Sequence, residues 1–255
     1  MKNITERHEY ILNKIKEHNK VSIQELCDEM NVSSVTIRKD LKLLEDKHLI
    51  FRTKGGASSN NPYATDKPLI IKESINYDEK NKIAKKAIEL IKDNDSILIG
   101  SGTTASALAR FLNPSDNKLT VITPALRVAI ELCNKPNIEV LQLGGLIRPN
   151  SSSVAGQYAM RILDEISCGI VFLGVDGIDL DFGITISNLT EATLNQKMIA
   201  TSQKVVILAD SSKFGRRGLG KICNIEDVDY IVTDSNISSK YINALEESGL
   251  KVVIA

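Results

Sequence analysis

The chain has 255 residues, 42% of them apolar and 25% charged, with 32 basic side chains against 32 acidic ones. Such a composition excludes a disordered or collagen-like chain, the length exceeds an average domain of roughly 150 residues, and the even balance leaves any nucleic-acid surface to be found locally. No apolar run approaches the roughly 20 residues that span a bilayer, and the start MKNITERHEYILNK lacks the apolar block of a signal peptide, so a soluble, cytoplasmic protein with no membrane partner is expected. Cys27, Cys133, Cys168 and Cys223 stand singly in apolar stretches, which fits buried reduced thiols better than a metal pair or a disulfide framework. His8, His18 and His48 have no matching cysteine or carboxylate spacing, so no metal and no cofactor are expected.

In chain order, a helix from about Thr5 to His18 presents Ile11, Leu12 and Ile15 on one face. From Val21 to Asn31, Ser22 and Glu25 form an S-x-x-E capping box, and Ile23, Leu26, Cys27 and Met30 recur at i, i+3, i+4 and i+7. The chain turns through Asn31 and Val32, and Ser33 then caps another helix whose apolar positions are Ile37, Leu41 and Leu44. Three short helices closing one core, with a tight turn between the second and third, make a helix-turn-helix. Periodicity alone fits a plain packing unit equally well.

Charge on the third helix, taken alone, fits a solvated helix surface; the specific residues and the resemblance they carry separate the two readings. Between Val32 and Lys54 stand six basic residues (Arg38, Lys39, Lys42, Lys47, Arg52, Lys54) against three acidic ones (Asp40, Glu45, Asp46). Ser33, Ser34 and Thr36 offer hydroxyls near the helix start, where base edges are approached, and Arg38, Lys39 and Lys42 reach guanine edges or phosphates. The β-prone run Leu49 to Lys54, ending in Gly55-Gly56, suits a wing that places Arg52 and Lys54 on the DNA backbone. Glu25-Leu26 through Asn31-Val32-Ser33, Thr36-Ile37-Arg38-Lys39-Asp40-Leu41 and Gly55-Gly56-Ala57 together resemble the DNA-binding module of the DeoR family of regulators. His48 stands where that family usually has glycine.

The polar run SSNNPYATDKP, residues 58 to 68, reads as an exposed linker between a domain of residues 1–57 and another of residues 69–255. Beyond it a helix from Ile75 to Lys92 precedes strand candidates at Ser96 to Ile99, Leu119 to Thr123, Ile138 to Leu143, Gly169 to Val175, Val205 to Ala209, Tyr230 to Thr233 and Val252 to Ala255. Continuous apolar strands alternating with helices predict an α/β domain with a mostly parallel sheet covered on both faces. Ligands of such sheets collect at the carboxyl ends of the strands. Ser101-Gly102-Thr103-Thr104 there opens a helix and suits a phosphate. Gly144-Gly145 with Arg148, Asp176-Gly177, and Lys213 within Asp210 to Gly215 follow three further strands, giving carboxylates for sugar hydroxyls and cations for a phosphate. Each is also an ordinary turn residue, and Thr190-Glu191-Ala192 reads first as a helix start and second as a ligand contact.

Ser101 to Thr104, Leu143-Gly144-Gly145, Phe172 to Gly177, Glu191-Ala192 and Leu208 to Gly215 resemble the DeoR-family sensor domain, with departures at Pro124 and Asn195. The resemblance implies a winged helix-turn-helix followed by a domain similar to ribose-5-phosphate isomerase. It also implies operator DNA and a phosphorylated sugar as partners, and a homo-oligomer, dimer or larger. The rival reading is a phosphosugar isomerase fused to a DNA-binding domain. Aligned on Asp176-Gly177 and Lys197, Gln196 falls where that isomerase carries its glutamate base; an amide cannot abstract the proton, so no enzyme activity is expected.

Overall fold

A computed structural model describes residues 3–18, 20–47, 49–58, 63–91, 96–113 and 118–255. Both the glycine-to-histidine departure at position 48 and residues 59–62 of the expected linker lie outside the described residues. The chain divides into two units at Pro62/Tyr63.

The first unit comprises α1 (Ile4–His18), β1 (Lys20–Ser22), α2 (Ile23–Met30), α3 (Ser34–Asp46), β2 (Phe51–Thr53) and β3 (Gly56–Ser58). The capping box forms as the spacing predicts: the Glu25 amide donates to Ser22 Oγ at 3.1 Å and the Ser22 amide to the Glu25 carboxylate at 2.9 Å. Asn31, in the left-handed region at φ 50°, ends α2 and makes the turn. Ile11, Ile15, Leu26, Ile37, Leu41 and Leu44 close the core from the three helices, joined by Val21 and Ala57 of the small antiparallel sheet β1-β3-β2 and by Ile50 beside it. Each such aliphatic side chain, fully buried, contributes on the order of 1.5–3 kcal/mol.

The second unit starts with α4 (Leu69–Glu73) and α5 (Tyr77–Ile88), where the sequence suggested one helix from Ile75. Then follow β4 (Ser96–Ile99), α6 (Thr103–Phe111), β5 (Leu119–Thr123), α7 (Leu126–Leu132), β6 (Ile138–Gln142), β7 (Leu146–Arg148), β8 (Ser153–Ala155) and α8 (Gln157–Leu163). The chain continues through β9 (Cys168–Gly174), β10 (Gly177–Asp179), β11 (Gly183–Ile186), α9 (Leu189–Thr201), β12 (Ser202–Leu208), β13 (Gly220–Cys223), β14 (Tyr230–Thr233), α10 (Ser239–Glu247) and β15 (Lys251–Ile254). All seven expected strands join one sheet in the order β15-β14-β12-β9-β4-β5-β6, parallel throughout.

Side chains of successive strand residues go to opposite faces, so a run that is apolar at every position buries both. Leu98, Val171, Leu173, Val205 and Ile207 enter one apolar cluster, while Ile97, Ile99, Ile170, Phe172, Val206 and Leu208 enter the other. From β4 the chain winds outward to β6 in one direction, and from β9 to β15 in the other. The direction therefore reverses between the neighbours β4 and β9, and a crevice opens at their carboxyl ends.

Residues 63–68, read above as linker, are held within the second unit. Ala64 donates its amide to the Arg217 carbonyl, and Asp66 accepts from Arg148 at 2.8 Å and from Asn150 at 3.2 Å. Polar composition suggested an exposed tether; those polar groups are instead matched by partners 80 or more residues away along the chain.

Candidate functional site

At the β4/β9 crevice a pocket is lined by Ser101, Gly102, Thr103 and Thr104 after β4, Gly174 at the end of β9 with Val175 and Asp176 after it, and Lys213 after β12. These strands are neighbours in the sheet, so the sequence-derived residues after them converge. Gly102 precedes α6 at φ 114°, a conformation glycine tolerates, and no side chain caps the helix there. The first-turn amides of α6 and their positive dipole end thus face the pocket without a side-chain partner, an arrangement suited to an anion.

Gly144, Gly145, Arg148 and Gly177 are not among the lining residues. β6 is the outer strand, separated from β4 by β5, so Gly144 and Gly145 instead line an open groove with Tyr158, Arg161, Ile162 and Glu165. Gly177 is a packing position: a Cβ there would run into the Arg216 carbonyl. Arg148 stands behind the wall, paired with Asp66 at 2.8 Å and with Glu191 at 2.6 Å.

The site gains residues that motif reading did not single out. Asp66, Lys67, Leu69 and Lys72 roof it from the segment leading into and through α4; Lys80 enters from α5, and Asn150 and Ser151 from the turn between β7 and β8, while Glu191, which the sequence offers second as a ligand contact, lines it from α9. The Glu191 amide is capped by Asn188, as its reading as a helix start requires, and its carboxylate, 6% exposed, accepts from Ser153 Oγ at 3.2 Å. Lys80 sits at the i position of the buried stripe Lys80, Ile83, Ala84, Ala87, and a lysine on an apolar stripe was the one signal available for it.

Lys72 Nζ donates to Asp176 Oδ1 at 2.8 Å, and the Ser187 amide donates to Asp176 Oδ2 at 3.0 Å. Burial works against this carboxylate, but the Lys72 ammonium and the Ser187 donor outweigh it and hold its pKa below the usual range. Lys80 Nζ donates to the Lys72 and Ile75 carbonyls at 2.6 and 2.5 Å, and burial lowers its pKa to about 8 in spite of the nearby Asp210. The space left among these groups is ≈ 60 Å³. Small-molecule sites typically span roughly 300–1,000 Å³, so an incoming ligand has to displace side chains.

The depressed Lys80 pKa has a stability consequence. An unfolded chain keeps that proton to about pH 10.4, so between pH 8 and 10.4 the unfolded state binds more protons and stability rises with pH. Paired thermal melts of wild type and Lys80→Met are expected to show the wild type gaining on the variant over that window. A difference independent of pH would contradict the assignment.

In the first unit, α3 carries Ser34, Arg38, Lys39 and Lys42 on its exposed face. Ser33 Oγ accepts the Thr36 amide at 3.2 Å, the cap that the sequence predicts, and lies 3.0 Å from Thr36 Oγ1. Arg52 on β2 lies 3.4 Å from the Glu45 carboxylate, and Lys54 is exposed in the turn before β3.

Two family models match the chain, the DeoR-like helix-turn-helix domain over residues 7–63 and the DeoR C terminal sensor domain over residues 75–235. The chain belongs to the DeoR family. Its DeoR-family relatives match almost end to end. An uncharacterized HTH-type transcriptional regulator of Bacillus subtilis, YulB, is 36% identical over 98% of this chain and 96% of its own length. The HTH-type transcriptional regulator GolR of Listeria innocua is 33% identical over 98% of both chains. The glycerol-3-phosphate regulon repressor of Escherichia coli is 31% identical over 91% of each. Ribose 5-phosphate isomerase A of Methanocaldococcus jannaschii covers 55% of each chain at 22% identity and a TM-score of 0.41. The chain is a DNA-binding transcription regulator and not an isomerase. Gln196 donates its side-chain amide to the Lys221 carbonyl at 2.8 Å and is not among the pocket residues. No described helix is long and apolar enough to cross a membrane.

Proposed function

We propose that the chain is a cytoplasmic repressor of carbohydrate-metabolism genes whose hold on operator DNA is relieved by a phosphorylated sugar. The observation that carries this reading is the pocket at the β4/β9 crevice, which joins an uncapped helix start and four lysines, Lys67, Lys72, Lys80 and Lys213, to the carboxylates Asp66, Asp176 and Glu191. The α6 amides with Lys80 and Lys213 bind the phosphate, and the carboxylates accept hydrogen bonds from sugar hydroxyls. A relative named for the glycerol-3-phosphate regulon supports a phosphorylated effector.

The ion pair Lys72–Asp176 closes the pocket from α4, only a few residues after the linker. Ligand entry separates the pair, and the strain passes along the segment from Asp66 to Glu73 towards the DNA-binding unit. The working form is a homo-oligomer, at least a dimer, that sets two recognition helices on half-sites about one DNA turn apart. The DNA face is Ser34, Arg38, Lys39 and Lys42 on α3, with Arg52 and Lys54 on the wing. Arg38→Ala is expected to weaken binding to a selected operator by about 1–3 kcal/mol, measured by fluorescence anisotropy. Unchanged affinity would remove this face of α3 from the interface.

A further inference from the structure

Two side chains on the exposed side of α3, Val35 and Leu43, are apolar and not explained by phosphate binding, and Val35 is the one near the helix start, where base edges are approached. Val35 is 59% exposed, and with Arg38, Lys39 and Lys42 it forms an i, i+3, i+4, i+7 stripe opposite the buried Ile37, Leu41 and Leu44. A β-branched residue is a weak helix former, and one held in water contributes no packing, so Val35 does little for the stability of α3. Its neighbours Ser33 and Thr36 spend their hydroxyls on the cap. In the first turn, Ser34 and Val35 therefore remain on the exposed side.

Resting on the reading of this face as the DNA surface, we propose that Val35 reads the C5 methyl group of a thymine in the major groove. Residues at the start of a recognition helix approach base edges, and the thymine methyl is the one apolar group the major groove presents. Arg38, Lys39 and Lys42 lie one and two turns further along the same stripe, placed to hold the backbone or a guanine edge while the valine methyls meet the thymine. Sequence preference at that base pair is then set by an apolar contact rather than a hydrogen bond.

The test is a double-mutant cycle between protein and DNA, using the full-length chain and a duplex that it selects from a randomised library. Each thymine of the half-site is replaced in turn by deoxyuridine, which removes only the methyl group. At one position the replacement is expected to weaken wild-type binding about fourfold, the effect of one lost buried methyl, while Val35→Ala binds the thymine and uracil duplexes equally. Alanine favours the helix, so the variant folds. The proposal is overturned if no deoxyuridine position affects the wild type, if Val35→Ala keeps the same sensitivity, or if it weakens both duplexes alike. An Arg38→Ala control that leaves affinity unchanged refutes the assignment of the α3 face itself, which is a separate failure.

Discussion

Replacing Asp40 with alanine is expected to destabilise the DNA-binding unit by about 3 kcal/mol, although the residue lies on the helix assigned to DNA. Asp40 points inward at 2% exposure; its carboxylate accepts from Arg7 Nε at 2.7 Å and Nη2 at 3.0 Å, and His8 Nε2 lies 3.3 Å away. The pair ties α1 to α3. Removing one partner of a buried pair costs about 3–5 kcal/mol, and the lower end applies because the Arg7 side chain, 14% exposed, can turn to water. A unit of some 60 residues buries a small share of its surface and has total stability on the order of 5 kcal/mol, so most of its margin is lost. Amide exchange in α1 and α3 is expected to quicken about a hundredfold. Arg7→Ala is expected to cost more, since it strands a buried carboxylate. Unchanged exchange in both variants would mean that the apolar core alone fixes α3.

The second large effect is expected at Asp176. Its alanine variant loses the acceptor for Lys72 and for the Ser187 amide, and loses the carboxylate proposed to take a sugar hydroxyl. A charge-assisted hydrogen bond is worth about 1.5–3 kcal/mol, so the dissociation constant for the phosphorylated effector is expected to rise roughly 10- to 100-fold. DNA affinity without effector should stay within about twofold. The measurement is a thermal-shift titration of wild type and variant, in which a ligand that binds the folded state raises the melting temperature. Equal titrations would exclude Asp176 from the site, and lost DNA binding would make it a structural residue.

Much of this was legible in the sequence because the signals are local. The capping box at Ser22, the cap at Ser33 and the seven apolar strand runs are each set by neighbours within a few residues. Strand order is not local. Gly144 and Asp176 look alike as turn residues after strands, yet β6 lies at the sheet edge and β9 beside β4, so only Asp176 reaches the pocket. The roof was hidden for the same reason: Asp66 and Lys72 sit in or next to a polar run, and their roles come from Arg148, Asn150 and Asp176, 82 to 104 residues away. Arg148 was assigned to a phosphate on its charge, which Asp66 and Glu191 already engage.

The most direct test of the central claim is a titration of the complex between the full-length chain and its selected operator with sugar phosphates, each paired with its unphosphorylated sugar, followed by anisotropy. One phosphorylated member is expected to release the DNA while its unphosphorylated counterpart does not. Release by the free sugar equally well, or by no sugar phosphate at all, would contradict the phosphate-sensing pocket.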